Sequence, residues 1–351
     1  MSGRWTVEAA LAGGRNSFGL TRLLLALAVV VSHAGSVPTG RHTDEPLTLL
    51  TGFTLGEHAV NGFFAISGFL VAMSFVRRGW RDYALARALR IIPGLVGAVL
   101  VVSLLLGAAL TSLPVSGYLT SGKLWIFIAQ VLTSLKSAGD LPGVFQDNPY
   151  RFAMGTVWTL KYEIYCYIGL GLAGAAGLLG RRKVVLAALA ALFVAILALD
   201  AFAPQAGKAV QTSLRLPFLF AAGTALYLWR DRAVLDWRIV AILAVMTVLA
   251  QGTFACKALL FLAEAYGVLT LALGPGTRRL PEPSADLSYG IYLYGWPVQQ
   301  ALYALAPQMS MGAQLGLSLV LTVLIAALSW FLIEKPALDL KARAFRWTSA
   351  R

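Results

Sequence analysis

Charged side chains are scarce in this sequence. They make up 13% of the 351 residues, whereas 58% are hydrophobic; a typical soluble domain has about 25% charged residues. A soluble fold would have to bury many uninterrupted apolar runs of about 18 residues or more, and such runs are typical of membrane-spanning helices. The composition therefore excludes an ordinary soluble domain and predicts an all-α, polytopic membrane protein.

Cysteine and histidine are also few. The two cysteines, Cys166 and Cys256, lie inside apolar stretches, which predicts buried thiols and not a disulfide framework. Of the three histidines, His42 and His58 have no cluster of cysteines or carboxylates at ligand spacing around them. We therefore predict no metal site.

Apolar runs of about 20 residues predict ten membrane-spanning helices. They lie at 18–36, 58–76, 91–112, 157–179, 184–203, 213–230, 238–254, 257–274, 287–306 and 312–334. A further apolar stretch at 124–135 is too short to cross, so we predict that it is re-entrant or lies on the membrane surface. No internal repeat or soluble domain is visible. We expect a single transmembrane domain over residues 1–351, without a fused extracytoplasmic domain.

Positive charge is distributed unevenly between the loops. The formal net charge is +13, but the lysines and arginines lie between the apolar runs, so we predict no nucleic-acid partner. If the N-terminus is inside, 20 lysines and arginines fall on the inner side and six on the outer side. By the positive-inside rule, both termini are predicted to be cytoplasmic.

The first span carries two residues that hydrocarbon disfavours, Arg22 and His33. Ten residues separate them, which places them within about 20° of one helix face and about 16 Å apart along the axis. An arginine that reaches the membrane surface and a histidine bonded to a neighbouring helix would explain the pair without any function. A functional site is the other interpretation, because ionisable residues inside spans often mark one.

Six motifs in order along the chain resemble the acyltransferase-3 family of bacterial membrane acyltransferases. The first is this arginine and histidine; the others are AVNGFFAISGFL at 59–70, Arg87 and Arg90 followed by Pro93, WTLKYE at 158–163, SYGIYLYGWP at 288–297 and IEKPA at 333–337. The resemblance covers nearly the whole chain. Many members carry an acidic residue at the position of Asn61 and a histidine at that of Gly295. We interpret both departures as variation within a subgroup.

The resemblance implies an O-acyltransferase, in the simplest case an O-acetyltransferase, of the bacterial cytoplasmic (inner) membrane. It would move an acyl group from cytoplasmic acyl-CoA, such as acetyl-CoA, to a hydroxyl of an extracytoplasmic or lipid-linked carbohydrate, with no permanently bound cofactor. Its partners would be this donor, this acceptor and membrane lipids, and the oligomeric state is open. Two alternatives are acylation of a glycosylated secondary metabolite and a glycan or lipid transporter, since intramembrane ionisable residues also mark translocation pathways.

The catalytic residues that the resemblance implies begin with His33. A neutral imidazole accepts a proton near neutral pH, so His33 is predicted to be the general base, or to carry the acyl group itself. Arg22, on the same face, is predicted to assist. Glu163 ends the WTLKYE motif, and a carboxylate at a span is a functional candidate. It would orient the acceptor hydroxyl or hold His33 in its active tautomer.

Donor binding is predicted at three arginines. Guanidinium groups match phosphate oxygens, and Arg87 and Arg90 are three apart on the helix expected to enter the third span. With Arg22 they would form an entrance for coenzyme A. The alternative is that they only obey the positive-inside rule.

The acceptor is predicted to meet a mixed polar and aromatic surface, made by Asn61, Ser67, Trp158, Tyr289 and Tyr292. Trp158 follows a loop containing Tyr150 and Phe152, and aromatic faces are typical of sugar sites, although an interfacial tryptophan also anchors proteins in membranes. Glu264, within an apolar run, matches no motif, and its pairing with Lys257 is left open.

Overall fold

The chain folds almost entirely into helices. The structure, a computed structural model, describes residues 5–137 and 139–340. Within these ranges two isolated bridges are formed and no β-strand. The α-helices are α1 (Val7–Ala12), α2 (Phe18–Ser36), α3 (Thr48–Thr51), α4 (Leu55–Leu100), α5 (Gly107–Leu110), α6 (Val115–Thr120), α7 (Gly122–Ser134), α8 (Leu160–Ala175), α9 (Arg182–Phe202), α10 (Lys208–Leu228), α11 (Trp237–Leu249), α12 (Cys256–Leu273), α13 (Ser288–Leu305) and α14 (Met311–Ser329). The predicted all-α class is confirmed.

Every predicted span overlaps a helix. Five helical stretches of the described chain are long and apolar enough to cross a membrane, namely Phe18–Ser36, Leu55–Leu110, Arg182–Phe202, Cys256–Leu273 and Met311–Leu340. These stretches identify a membrane protein, whereas the count of ten spans and the orientation stay predictions. The apolar stretch at 124–135 lies in α7 except for its last residue. The 13 residues of α7 extend about 20 Å, less than the roughly 30 Å of a bilayer core.

The segment between the second and third predicted spans is helical except at Gly79. There α4 is interrupted by a backbone conformation of φ 77° and ψ 178°, which only glycine adopts readily. The helix begins at a capping box, in which the Thr54 hydroxyl accepts from the Glu57 N–H at 3.1 Å and the Glu57 carboxylate accepts from the Thr54 N–H at 3.1 Å. Its far end continues through a π-helical turn, Val101–Leu106, into α5.

The described chain packs as two compact units. The first comprises residues 5–22, 60–84 and 162–283, and the second comprises 23–59, 85–161 and 284–340. Because the chain crosses between them five times, neither unit is a continuous stretch of sequence, and α2 and α4 contribute residues to both. The single domain expected over residues 1–351 stays a prediction.

In the first unit, α4 and α10 approach each other closely. A Cβ added at Gly68 would lie 1.9 Å from the carbonyl oxygen of Phe220, and one at Gly223 would lie 2.0 Å from that of Ala65. The Thr224 hydroxyl donates to the Gly68 carbonyl at 3.1 Å. Small residues therefore allow the two backbones to touch, as is common between membrane helices.

In the second unit, α13 occupies the centre, since its side chains from Ser288 to Leu302 are all buried. A Cβ added at Gly290 would lie 2.9 Å from Cβ of Ala326 in α14. This close contact fixes the helix that carries the SYGIYLYGWP motif.

Candidate active site

His33 lies in the last turn of α2 and is held from two sides. Its Nδ1 is 3.3 Å from Oε1 of Glu45, and its ring packs edge-on against Trp296, with centroids 5.0 Å and planes 86° apart. The Nε2 atom makes no hydrogen bond to any residue of the described ranges. The side chain is 18% exposed, so the ring is not completely enclosed by protein.

The carboxylate of Glu45 is fully buried and surrounded by donors. Ser36 donates to Oε1 at 2.6 Å, Ser32 donates to Oε2, and Nδ1 of His42 lies 3.3 Å from Oε1. Burial by itself raises the pKa of the Glu45 carboxyl, but hydrogen bonds from His33 and His42, the His33 charge and the Ser32 hydroxyl outweigh it and hold this pKa well below its ordinary value. Glu45 is therefore ionised at neutral pH.

Local packing explains how Glu45 reaches α2 from the loop that follows it. A Cβ added at Gly35 would lie 2.4 Å from the carbonyl oxygen of Asp44, so the loop rests directly on the helix backbone. The Ser32 hydroxyl also accepts from the Gly56 N–H at 2.8 Å, which joins the start of α4 to α2. These contacts fix both ends of the loop that positions the carboxylate.

An ionised carboxylate beside Nδ1 selects the tautomer in which Nδ1 carries the proton. The lone pair then lies on Nε2, where it can accept a proton or attack an electrophile. The carboxylate that contacts Nδ1 is that of Glu45. The two predicted roles of Glu163, to orient the acceptor hydroxyl or to hold His33 in its active tautomer, stay predictions. The loop has no periodic pattern of apolar residues from which the direction of a side chain could be predicted. In the sequence, Glu45 is one of 16 acidic residues and is marked only by its position, twelve after His33.

An aromatic cluster surrounds the other side of His33. Trp296 stacks on Phe152 with centroids 5.0 Å and planes 7° apart, and its indole N–H donates to the Phe152 carbonyl at 3.0 Å. The Tyr150 ring lies 5.4 Å from that of Trp296. The aromatic loop that the sequence had placed near Trp158 therefore packs against Trp296, inside the SYGIYLYGWP motif.

Gly295, where the resemblance implies a histidine in many members, lies close to α2. A Cβ added there would lie 2.7 Å from Cγ2 of Val30, one turn before His33 on α2. The Gln299 amide N–H donates to the Val30 carbonyl at 2.7 Å, which keeps α13 tight against α2. A side chain at position 295 would therefore meet that of Val30, and one of the two would have to shift.

Glu163 and Ser67, both predicted site residues, are brought together in the first unit. The Ser67 hydroxyl donates to Oε1 of Glu163 at 3.3 Å, and the Tyr167 hydroxyl donates to the same oxygen. The Ser67 and Tyr167 hydroxyls are themselves 3.0 Å apart. Three polar groups thus form one network on helices α4 and α8.

Asn61 forms a second polar contact in the first unit. It is fully buried, and its Nδ2 donates to Oε2 of Glu264 at 2.7 Å. Lys257, whose pairing with Glu264 was open, lies 2.6 Å from Asp200 instead. An acidic residue at position 61 would place two carboxylates at hydrogen-bonding distance, where both cannot be ionised without strong repulsion. An amide at position 61 therefore suits the neighbouring carboxylate of Glu264.

The arginines predicted for donor binding lie on helices. Arg87 and Arg90 are half-buried in the part of α4 that follows Gly79, and Arg22 is half-buried in α2. Nη2 of Arg90 is 2.9 Å from Oδ2 of Asp286. Its guanidinium also lies over the Tyr289 ring, 5.7 Å from the centroid.

The remaining predicted residues make contacts within the second unit. The Tyr289 hydroxyl donates to the Ile91 carbonyl at 3.0 Å, and that of Tyr292 donates to the Thr156 carbonyl at 3.0 Å. Trp158 is half-buried in the 3₁₀ turn Val157–Thr159. The two tyrosine hydroxyls therefore bind backbone and hold α13 to its neighbours.

The predicted site residues divide between the units. The first unit contains Arg22, Asn61, Ser67 and Glu163, and the second contains His33, Arg87, Arg90, Trp158, Tyr289 and Tyr292. In the second unit, the imidazole of an apolar helix contacts a buried loop carboxylate, which is chemistry that proton transfer or nucleophilic attack can use.

Comparison with known proteins gives the reaction class. The chain belongs to the acyltransferase family identified above, since the family's acyltransferase domain matches residues 15–334. It is 28% identical to an O-acetyl transferase of Shigella phage Sf6, over 91% of this chain and 95% of the relative. It is 30% identical to nodulation protein 10 of Rhizobium leguminosarum bv. viciae, over 94% of this chain and 95% of the relative.

A third relative, named a membrane-bound transacylase, comes from Komagataeibacter xylinus and is 27% identical over 94% of this chain and 84% of its own length. No solved structure matches the chain significantly. The protein is therefore an acyltransferase of the kind that transfers groups other than aminoacyl groups, and the transporter alternative is set aside.

Proposed function

We propose that this membrane acyltransferase is an O-acetyltransferase, which moves the acetyl group of acetyl-CoA to a hydroxyl of a carbohydrate. The observation that carries the proposal is the contact of Nδ1 of His33 with the buried carboxylate of Glu45, at 3.3 Å. It leaves Nε2 free to take the proton of an attacking hydroxyl. The phage relative, named an O-acetyl transferase, supports acetyl as the group transferred.

The reaction has a direct and a two-step form on these residues. In the direct form, His33 Nε2 accepts the hydroxyl proton as the oxygen attacks the thioester carbon, and it returns that proton to the departing thiolate. In the two-step form, Nε2 itself takes the acyl group and passes it to the hydroxyl. We propose the direct form, because a carboxylate that orients the ring and stabilises its positive charge serves general-base catalysis.

Donor binding is proposed at Arg87, Arg90 and Arg22. The planar guanidinium of Arg90 is already oriented by Asp286 at 2.9 Å and by the Tyr289 ring. Arg87 lies three residues earlier on the same helix, so both side chains project to neighbouring positions. Such a pair matches the pyrophosphate and 3′-phosphate of coenzyme A.

The membrane topology follows from the same assignment. We propose ten spans in the bacterial inner membrane with both termini in the cytoplasm, supported by the 20 to six division of lysines and arginines. Arg87 and Arg90 then face the cytoplasmic donor, and the loop of Glu45 faces outward. A fluorescent reporter fused after Arg232 should be cytoplasmic, whereas one fused after Ala206 should be extracytoplasmic.

The acceptor is proposed to be an extracytoplasmic carbohydrate, lipid-linked or free. The stacked rings of Phe152 and Trp296 beside His33 offer the apolar faces that sugar rings pack against. Glu163, with Ser67 beside it at 3.3 Å, would bind acceptor hydroxyls. A glycosylated secondary metabolite would present the same chemistry, and mass spectrometry of surface glycans from cells with and without the gene separates the two.

The decisive experiment measures thiol release from acetyl-CoA by the purified protein in lipid nanodiscs, with and without extracted surface glycan. We expect acceptor-dependent release in the wild type and none in His33→Ala. His58→Ala is the matched control, because the His58 ring is bonded to Thr51 at 2.8 Å and takes no part in the contact with Glu45. Full activity of His33→Ala, or wild-type protein that consumes no acetyl-CoA, would overturn the proposal.

A further inference from the structure

The hydroxyl of Tyr150 makes no hydrogen bond within the described part of the chain. The atom is buried and has no hydrogen-bond partner in residues 5–137 and 139–340. Several buried tyrosines do have partners; the hydroxyl of Tyr118, for example, donates to the Ser103 carbonyl at 2.6 Å, and that of Tyr289 donates to the Ile91 carbonyl at 3.0 Å. A buried polar atom without a partner costs stability, and its presence calls for an explanation.

The ring of Tyr150 is fixed beside the catalytic histidine. It lies 5.4 Å from the ring of Trp296, on which His33 packs, and 5.6 Å from that of His42. His42 in turn shares Oε1 of Glu45 with His33, each nitrogen being 3.3 Å away. Two short chains of contacts therefore connect Tyr150 with His33.

The backbone of Tyr150 is also anchored. The Gln300 amide N–H donates to the Tyr150 carbonyl at 2.8 Å, and the Asn148 amide N–H donates to Oε1 of Gln300 at 2.7 Å. Both bonds tie the loop to α13, which is the buried centre of the second unit. The backbone of Tyr150 is thus held in place before any substrate arrives, and a preorganised donor is what transition-state stabilisation requires.

Its environment keeps the hydroxyl protonated. Burial raises the pKa of Tyr150, and the charges of Glu45 and Asp44 raise it further. At neutral pH the Tyr150 hydroxyl is therefore an O–H donor that has no acceptor among the described residues. Packing of the aromatic cluster does not require a hydroxyl at position 150. The adjacent ring of the cluster, 5.3 Å away, belongs to Phe152, which has none.

We propose that Tyr150 is a catalytic residue whose hydroxyl donates a hydrogen bond to the acyl carbonyl oxygen as it becomes an oxyanion. This inference rests on the proposed acetyl transfer. In the step concerned, Nε2 of His33 takes the acceptor's hydroxyl proton, the new C–O bond forms, and the carbonyl π electrons move to the oxygen that Tyr150 stabilises. When the oxyanion collapses, the C–S bond breaks and the coenzyme A thiolate leaves with the proton from His33.

The local charges suit this role. Glu45 would repel an oxyanion if its charge were uncompensated, but four side chains donate to it, those of Ser32, Ser36, His33 and His42. During the step, the imidazolium of His33 adds the positive charge that balances the carboxylate. A donor held in place by the protein stabilises the developing charge without having to reorient during the reaction.

The test compares Tyr150→Phe with Tyr118→Phe as the matched control. Each substitution removes one hydroxyl from a buried ring. Of these two hydroxyls, that of Tyr118 has a protein partner and that of Tyr150 has none among the described residues. Tyr118→Phe should therefore lower the melting temperature and leave kcat within about twofold. Tyr150→Phe should leave the melting temperature unchanged or raise it, lower kcat by about a hundredfold or more, and leave KM for acetyl-CoA nearly unchanged.

Failure of this inference differs from failure of the proposed function. If the wild type releases thiol and Tyr150→Phe retains its kcat, the oxyanion role is wrong while acetyl transfer stands. The role is also wrong if Tyr150→Phe raises only KM for the acceptor, because the hydroxyl then binds sugar and not the oxyanion. If the wild type itself consumes no acetyl-CoA, the proposed function is what fails.

Discussion

Nδ1 of His33 and Oε1 of Glu45 lie 3.3 Å apart, one on a membrane helix and the other in the loop that follows it. Only twelve positions separate the two residues in the chain, yet the contact depends on the loop folding back onto α2. Ser32 and Ser36, on the same helix, hold the other lone pairs of the carboxylate. The proposed general base and its carboxylate therefore lie largely within one short stretch of sequence.

The first prediction concerns Glu45→Gln. The amide keeps the shape of the side chain but removes the charge that stabilises protonated His33, and its N–H can select the wrong imidazole tautomer. We expect kcat to fall by about a hundredfold or more, as for other carboxylates that orient a catalytic histidine. Thiol release at saturating acetyl-CoA measures it.

Asp44→Asn is the matched control, because the neighbouring Asp44 pairs with exposed Arg41 at 3.0 Å and does not touch His33. Its kcat should stay within about twofold of the wild type. If folded Glu45→Gln also stays in that range, Glu45 does not orient the base.

The second prediction concerns the pH dependence of stability. The pKa of Glu45 is lower in the folded protein than its ordinary value, because donors around the buried carboxylate outweigh desolvation. A group with a lowered folded-state pKa stabilises the fold above its unfolded pKa of about 4.3, and this contribution is lost as the pH falls through the lower value. The melting temperature should therefore drop between about pH 5 and pH 3 more steeply in the wild type than in Glu45→Gln. Parallel curves for the two proteins would contradict this linkage.

The helices were largely predictable from the sequence, because apolar runs of the length of a bilayer allow few other structures. The first span at 18–36 agrees with Phe18–Ser36 to the residue. What could not be predicted is how a helix passes through a polar stretch: the arginine-rich segment after position 76 stays helical, and a single glycine, Gly79, makes the break. Composition marks that segment as polar, whereas its backbone geometry depends on one residue.

The site was predictable only where residues lie on helices. His33 stands out because hydrocarbon disfavours an imidazole, and the tendency of Arg87 to lie on a helix follows from the apolar run after it. Glu45 lies in a loop, where polar residues are ordinary and no period predicts direction. Its importance arises from tertiary contacts, notably the close approach of Asp44 to Gly35, which a sequence pattern does not encode.

The third prediction concerns donor binding at Arg87. Arg87→Glu replaces a guanidinium with a group that repels phosphate, so KM for acetyl-CoA should rise by about 10–100-fold, since a hydrogen bond to a charged group contributes about 1.5–3 kcal/mol. The value of kcat at saturating donor should change little. Steady-state kinetics at fixed ionic strength measure both.

Arg81→Glu is the control for the added negative charge, because Arg81 lies on the same long helix but is exposed, and no part in donor binding is proposed for it. If Arg81→Glu raises KM as much as Arg87→Glu does, the effect is a general one of surface charge. Arg87 then has no specific contact with the donor.

The fourth prediction concerns the buried pair Asn61 and Glu264, joined at 2.7 Å. Asn61→Asp creates two carboxylates at this distance, one of which must take a proton, and we expect a loss of about 1–3 kcal/mol in the free energy of unfolding near neutral pH. Adding Glu264→Gln restores an amide beside a carboxylate, with the two roles exchanged. The double variant should therefore regain most of the lost stability, which is a coupling that a double-mutant cycle measures directly.

Acidification distinguishes repulsion from a packing defect in this pair. Asn61→Asp should become more stable relative to the wild type as the pH is lowered, because one carboxyl then holds a proton and can donate to the other. Glu264→Gln alone, which pairs two amides, should show no such recovery. If Asn61→Asp is as stable as the wild type at neutral pH, or if the double variant is no more stable than the single one, Glu264 does not explain why an amide occupies position 61.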